Sequence, residues 1–363
     1  MANPPRILVT ALNWGLGHAA RSLPVIEALE RRGAVLRLAS DGDALALWRA
    51  ERPDLPTLDL PSYRISYRTG SMVRNFIPQL PHLVRTVRAE HARLTEYQRT
   101  YAFDAVVSDN RYGCYLPGVP SIFLTHQLRI RMPAPWPSAP ANWVNHYLIR
   151  RFSQCWVPDL PEAPGLAGAL AHGPGLPPAV YLGPLSRFPA LPSKKQYAWV
   201  AVLSGPEPQR SYLEQAIRRQ VDRLPGPGLV IGGLPRELVS ENWSDRVTYR
   251  SFLPGAELAA VLAAAGVVIC RSGYSTLMDL ARLGSKVLLV PTPGQTEQEY
   301  LARSLARQGR AVVQTQEDLD LAQGIKAARA LPGLPQSPDN AHLLDRAIDG
   351  LWAQMEARGR LAE

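Results

Sequence analysis

The sequence predicts an α/β protein of two doubly wound parallel-sheet domains facing a cleft. Short apolar, β-branched runs alternate with segments of helical period, the signature of parallel sheets with helical crossovers. The chain has 363 residues, which at about 150 per domain suits two domains better than one. The alternation also stops and restarts: Pro158 to Pro192 is thick with proline and glycine, and a new strand-like run begins at Ala198.

In the first half, Ile7–Leu12, Val35–Ala39, Ala105–Ser108 and Ile122–Thr125 read as strands, with helices near Ala19–Arg32 and Leu80–Gln98. In the second half, strands are expected at Ala198–Leu203, Leu229–Ile231, Val267–Cys270, Val287–Val290 and Ala311–Val313. Helices are expected there at Tyr274–Leu283 and Glu297–Gln308, and a last one at Ala341–Ala357, placed to pack back on the first domain. The expected division is therefore 1–185, 186–335 and a terminal helical segment 336–363. Ligands of such folds sit beyond the carboxyl ends of the strands.

Composition narrows the function classes. Apolar residues are 46% and charged residues 20% of the chain, as in ordinary globular proteins, so broad disorder is excluded. Cys114, Cys155 and Cys270 lack the spacing of a disulfide framework or a zinc site, which fits a reducing cytoplasm. The start of the chain has no signal-peptide layout, and the longest apolar run, Leu258–Cys270, is too short to span a bilayer, so membrane contact is expected to be peripheral.

The net charge of +9 suits an anionic partner without choosing one, and no nucleic-acid reading module is recognisable. Only Lys194, Lys195, Lys286 and Lys326 are lysines, so an arginine-rich coding bias explains the charge equally well. Between Pro61 and Thr100, arginines 64, 68, 74, 85, 88, 93 and 99 face only Glu90 and Glu96. Met72, Phe76 and Ile77 lie among them, and Leu80, Leu83, Val84 and Val87 share a helical face. That combination suits an anionic membrane surface or a lipid-phosphate acceptor, or else a solvated face over a core-packed helix.

Three turns carry the chemistry. The first strand runs into Asn13-Trp14-Gly15-Leu16-Gly17-His18-Ala19-Ala20-Arg21, a glycine-rich turn opening a helix. There the backbone can approach a ligand closely, and His18 would stand at the cleft mouth as a general base. Read as G-x-G-x-x-A, the turn also matches a dinucleotide fingerprint, with Asp41 as its acid. Asp109 follows another strand and is a candidate to orient the His18 imidazole, or else a simple turn residue.

The second turn, Arg271-Ser272-Gly273-Tyr274-Ser275-Thr276, opens a helix whose first hydroxyls and free N–H groups can hold phosphate oxygens, with Asp279 one turn on for a ribose diol. Simple capping is the other reading of those hydroxyls. The third turn, Pro291 to Tyr300, contains Gln295, Glu297 and Gln298 and leads into the next helix.

These residues resemble the inverting glycosyltransferases of the GT-B fold, two Rossmann-like domains facing a cleft, and in particular the MurG-like family with its family 28 C-terminal domain. That family moves N-acetylglucosamine from UDP to a lipid-linked acceptor. The resemblance implies that Gly15, Gly17 and His18 match a glycine-rich loop ending in a histidine beside the acceptor. It implies that Ser272, Gly273, Ser275, Thr276 and Asp279 hold the donor diphosphate and ribose, and that Gln295, Glu297 and Gln298 meet the sugar hydroxyls. Phe252 and Leu253 fall where the family holds uracil, and Ser204-Gly205 where it has a phosphate loop.

The chain departs from the family in two places. The loop after Ser204-Gly205 continues as Pro206-Glu207-Pro208-Gln209-Arg210, with Arg210 a candidate for compensating charge. The family's His-Glu-Gln segment is replaced by Thr125-His126-Gln127, and its acceptor-side sequences find no clear counterpart.

The expected chemistry is direct displacement at an anomeric carbon, with His18 as base and helix N-termini stabilising the departing diphosphate. With Arg210 or Arg271 adding charge, no metal or other cofactor is required, and the UDP-sugar is a co-substrate. The Asp41-Gly42-Asp43 and Asp318-Leu319-Asp320 triplets read as helix caps rather than metal ligands. A UDP-sugar epimerase or hydrolase on the same fold, and an NAD(P)-dependent oxidoreductase, are the alternatives.

Overall fold

The structure is a computed structural model that describes residues 3–64, 77–132, 138–189, 194–235, 238–337 and 340–359. Its first lobe is a seven-stranded parallel sheet: β1 Arg6–Ala11, β2 Val35–Ser40, β3 Thr57–Asp59, β4 Ala105–Asp109, β5 Ser121–Leu124, β6 Gln154–Val157 and β7 Val180–Tyr181. The spatial order is β3-β2-β1-β4-β5-β6-β7, so the topology reverses between β1 and β4. Its helices are α1 Gly17–Arg31, α2 Gly42–Glu51, α3 Leu80–Tyr101 and α4 Ser138–Ile149.

The second lobe repeats the plan with β8 Trp199–Val202, β9 Gly228–Ile231, β10 Ser240–Ser244, β11 Val247–Arg250, β12 Val268–Cys270, β13 Val287–Leu289 and β14 Val312–Val313. The order is β10-β11-β9-β8-β12-β13-β14, with only β10 antiparallel, and the reversal falls between β8 and β12. The helices are α5 Gln209–Arg218, α6 Gly255–Ala263, α7 Tyr274–Arg282, α8 Thr296–Arg307 and α9 Leu321–Ala330, followed by α10 Ala341–Ala357.

The central strands are buried on both faces, which is why they read as continuous apolar runs: Ile7, Leu8, Val106, Ile122, Val200, Val268 and Leu288 are all at most 1% exposed. Helix α10 returns from the second lobe to pack on α1 and β7 of the first. Its Leu344, Ile348, Leu351 and Met355 join the same core cluster as Leu29 of α1 and Leu277 of α7. Each such side chain contributes about 1.5 to 3 kcal/mol of burial. Arg32 pairs with Asp349 at the edge of this contact.

Helix α3 leaves much of its apolar face uncovered. Its buried residues are Thr86, Glu90 and Leu94, while Leu80 and Val84 are about half exposed. Glu90 turns inward because a buried Arg111 awaits it: Arg111 Nε donates to Glu90 Oε1 at 2.6 Å and Tyr63 donates its hydroxyl to Oε2 at 2.7 Å. Arginines 68 and 74, with Met72 and Phe76, lie outside the described residues.

Candidate active site

The two reversal points face each other, and each carries one of the chemical turns. Strands β1 and β4 pair with Ala11 opposite Asp109, and Leu12 N donates to Asp109 O at 3.0 Å, so both strands end at one level. Beyond β1 the chain turns at Gly15, whose φ of +78° lies in the left-handed region, and enters α1 at Gly17. His18 is thereby brought over the end of β4.

There, His18 Nδ1 lies 2.7 Å from Asp109 Oδ1. An ionised carboxylate only accepts, so Nδ1 carries the proton and Nε2 keeps its lone pair. Burial pushes the His18 pKa below its ordinary value, against the upward pull of Asp109 and with a further downward push from Arg21. The ring is therefore neutral at neutral pH, the state a general base requires. Burial alone would raise the Asp109 pKa, but Arg21 and His18 outweigh it and hold the carboxyl below its usual range.

Arg21, one turn along α1 and 2% exposed, is the residue that sequence reasoning passed over. Its Nε donates to Asp109 Oδ2 at 2.6 Å and its Nη2 to Oδ1. Its Nη1 meets His126 Nδ1 at 2.9 Å. A guanidinium is only a donor, so His126 Nδ1 accepts and its Nε2 carries the proton. That Nε2–H donates across the cleft to Glu297 Oε1 at 2.8 Å, and Gln127 Nε2 donates to Glu297 Oε2. The His126 ring also stacks on Tyr274 of α7 with centroids 4.1 Å apart. The i to i+3 spacing of His18 and Arg21 on one helix was the only signal for this network in the sequence.

The second lobe meets the first at α7. A Cβ added at Gly17 would lie 3.0 Å from Ser275 Oγ and 3.2 Å from Ser275 Cβ, so a side chain there would press on the Ser275 side chain where the two helix starts meet. Gly273, the N-cap of α7, makes no side-chain cap bond, which leaves the first N–H groups of that helix without a capping side chain. Ser275 and Thr276 stand in that first turn, half-buried. Ser204 and Gly205 follow β8 at the neighbouring strand end, where Gly205 has a φ of +102° and would set a Cβ 3.6 Å from Thr292 Oγ1. Thr292 Oγ1 and Gln295 Oε1 are buried there with no hydrogen-bond partner among the described residues. Unpaired buried polar atoms are costly and point to a ligand that satisfies them. Phe252 is half-buried and Leu253 buried, just before α6.

Several of the expected site residues have partners within the chain. Arg271 is partly committed: Nη1 donates to the carbonyls of Val290 and Pro291, and Nη2 to Gln209 O at 2.7 Å and to Gln316 Oε1, while Nε is buried with no hydrogen-bond partner among the described residues. It is 1% exposed, and burial pulls its pKa down to about 10.

Arg210 is paired within its own segment, where Glu207 and Glu214 each take one of its nitrogens at 2.6 Å. Ser272 Oγ donates to Gln298 O at 2.8 Å and so ties the second turn to the third, while Gln298 Oε1 accepts from Thr292 N at 2.9 Å and braces the third turn itself. Asp279 accepts from Ser186 Oγ at 2.7 Å, and burial raises its pKa to about 6. Asp320 caps α9 through Gln323 N, as expected, but Asp41 binds Arg111 and Asn13 instead of capping α2. Among the described residues, no group of three or more His, Cys, Asp or Glu is placed to hold a metal ion.

Two parallel-rich sheets with paired reversal points give the GT-B fold, and the matches that follow mark the chain as a glycosyltransferase. Residues 235–341 match the glycosyltransferase family 28 C-terminal domain, and the chain is MurG-like.

The chain is 27% identical over 391 residues to the UDP-N-acetylglucosamine--N-acetylmuramyl-(pentapeptide) pyrophosphoryl-undecaprenol N-acetylglucosamine transferase of Rhodopseudomonas palustris (strain BisB5), an alignment covering 100% of this chain and 98% of that one. A protein of the same description from Desulforudis audaxviator (strain MP104C) is 49% identical over 76 residues, which is 20% of each chain. The crystal structure of Acinetobacter baumannii MurG superposes with a TM-score of 0.56 at 14% identity, covering 96% of this chain and 100% of that one, a likeness of fold.

Proposed function

We propose that this enzyme transfers a hexose or N-acetylhexosamine from a UDP-sugar to an acceptor hydroxyl, with inversion and without a metal ion. The carrying observation is the pairing of a neutral, Asp109-held His18 with the uncapped N-terminus of α7 immediately across the cleft. His18 Nε2 takes the acceptor's proton as its oxygen attacks the anomeric carbon, and Asp109 stabilises the imidazolium that forms. The N–H groups at α7, with the Ser275 and Thr276 hydroxyls, receive charge on the departing diphosphate, worth up to about 2 kcal/mol for a partly buried helix end. Because Arg210 is paired within its own segment and Arg271 is partly committed, this helix end carries more of that load than the sequence suggested. Glu297, already bridged to the first lobe, lies where the donor sugar's hydroxyls are expected.

A lipid-linked acceptor, with contact to an anionic membrane from the cytoplasmic side, fits the outer surface of the first lobe. Trp143 is 70% and Tyr147 52% exposed on α4, and their rings stack at 5.9 Å. Arg151 lies over Tyr147 and over Tyr115, and Tyr115 in turn stacks on His91 of α3, the helix that exposes Leu80 and Val84. No helix among the described residues is long and apolar enough to cross a membrane.

The direct test is a thermal-shift series with UDP, TDP, GDP, ADP and NAD(P), followed by NMR of the product anomer. UDP-selective stabilisation and an inverted product are expected. Stabilisation by NAD(P) alone would replace this reading with the oxidoreductase one, and release of free sugar without acceptor would indicate a hydrolase.

A further inference from the structure

We infer that Arg21 is a positioning residue of this site, a two-pronged clamp that fixes the Asp109 carboxylate under His18 and ties that pair to the lobe-bridging His126–Glu297 contact. The inference rests on the proposed role of His18 as base. Three nitrogens of one buried guanidinium do three separate jobs: Nε and Nη2 engage the two oxygens of Asp109, and Nη1 engages His126. A planar fork is required for this, because an ammonium is a point charge that cannot span both oxygens and the imidazole together.

The groups facing His18 are few and identifiable. Asp109 comes from β4, Arg21 from α1 and His126 from the turn after β5; Glu297 of α8 acts on the ring through its charge, and the Tyr274 ring of α7 stacks on His126. Within this set Arg21 has two effects of opposite kind. By holding Asp109 it orients the acceptor of the Nδ1 proton, so that Nε2 faces the cleft. By sharing the charge of Asp109 it keeps that carboxylate from drawing a second proton onto His18. The same guanidinium occupies Nδ1 of His126, which holds that ring in the Nε2–H form that reaches Glu297.

A residue that only supported the fold would affect stability and nothing else, so the test reads protonation. The His18 ring is titrated by NMR in the free enzyme, and the acid limb of kcat/KM is measured in parallel, for the wild type, Arg21→Met and Arg21→Lys. With Arg21→Met, both the ring pKa and the acid limb are expected to rise by about one pH unit, since a nearby cation is lost. With Arg21→Lys the charge stays, so the pKa is expected to stay within about 0.3 unit while kcat falls about tenfold from lost orientation.

An unmoved His18 pKa in Arg21→Met overturns the inference, and so does wild-type kcat in Arg21→Lys. Should Arg21→Met fail to fold, Arg21→Lys and its kcat against pKa contrast still decide the matter. The ring titration uses no substrate, so it stands even if no UDP-sugar is turned over, which separates this inference from the functional reading beneath it.

Discussion

Replacing His18 by alanine separates the chemistry from the scaffold. His18 contributes one hydrogen bond to Asp109, at 2.7 Å, and Asp109 retains both Arg21 contacts when the ring is gone. The stability cost is then that of one charge-assisted bond, about 1.5 kcal/mol, or a few degrees in melting temperature. The catalytic cost is larger. A positioned general base is worth about 10²- to 10⁴-fold in rate, which corresponds to about 2.7 to 5.4 kcal/mol of barrier. The proposed diphosphate contacts lie on the opposite lobe, so UDP affinity is expected to stay within about twofold, a change of about 0.4 kcal/mol.

UDP release measured continuously, UDP affinity by calorimetry and melting temperature together give the three numbers. Turnover within tenfold of wild type would refute the role given to His18. A parallel loss of UDP binding would mean that His18 acts through lobe closure instead.

Further expectations follow from the same geometry. Gly17→Val forces a side chain against Ser275 and is expected to lower kcat/KM at least about tenfold, with partial recovery in the Gly17→Val, Ser275→Gly double variant; additive losses would remove the contact from the explanation. Because His18 is depressed by burial, kcat/KM is expected to stay level below the ordinary imidazole value of about 6.5 and to fall only in more acid solution; a limb above that value would contradict the burial argument.

Asp279 has a folded-state pKa of about 6, above the ordinary carboxyl value of 3.8, so its penalty is absent below the lower value and complete above the higher. Asp279→Asn is therefore expected to stabilise by about 1 to 3 kcal/mol at pH 7.5 and not at pH 3.5, while weakening UDP. Equal melting shifts at both pH values would sink that reading. Activity is expected to survive EDTA, and a loss restored by added Mn²⁺ would overturn the metal-free proposal. Trp143→Ser with Tyr147→Ser is expected to reduce co-sedimentation with anionic vesicles at least about threefold, and unchanged binding would move the membrane face elsewhere.

Much of the fold was legible because buried parallel strands leave a nearly context-free trace. The Val287–Leu289 run and the helix at Ala341–Ala357 stand where their periodicity puts them. The short edge strands were not legible: β3 and β7 have three and two residues, and β10, Ser-Glu-Asn-Trp-Ser, is a polar edge whose pairing depends on β11. For the site, local order carried far. His18, Asp109, Ser275 and Gln295 all follow strand ends in the sequence, and the structure brings those ends to one cleft.

What sequence could not show was which way a cation points. Arg21, Arg210 and Arg271 look alike on paper, yet one faces Asp109, one is enclosed by two glutamates and one is turned into backbone carbonyls. The partners that decide this lie 88 residues away for Arg21, three and four away for Arg210, and 19 and 20 away for Arg271. Likewise, the occupancy of Glu297 by His126 is a contact across 171 positions that no spacing rule anticipates.

The return of α10 to the first lobe means that the polypeptide travels between the halves twice. The two passages run side by side: a Cβ at Gly183, on the outward one, would sit 2.5 Å from Asn340 Cβ on the way back. Paired straps on one edge leave a swinging motion as the easy one and make sliding or separation hard. A nick in either strap alone should leave the halves tethered and still able to shut, whereas cutting both would free the mouth of the cleft from its pivot.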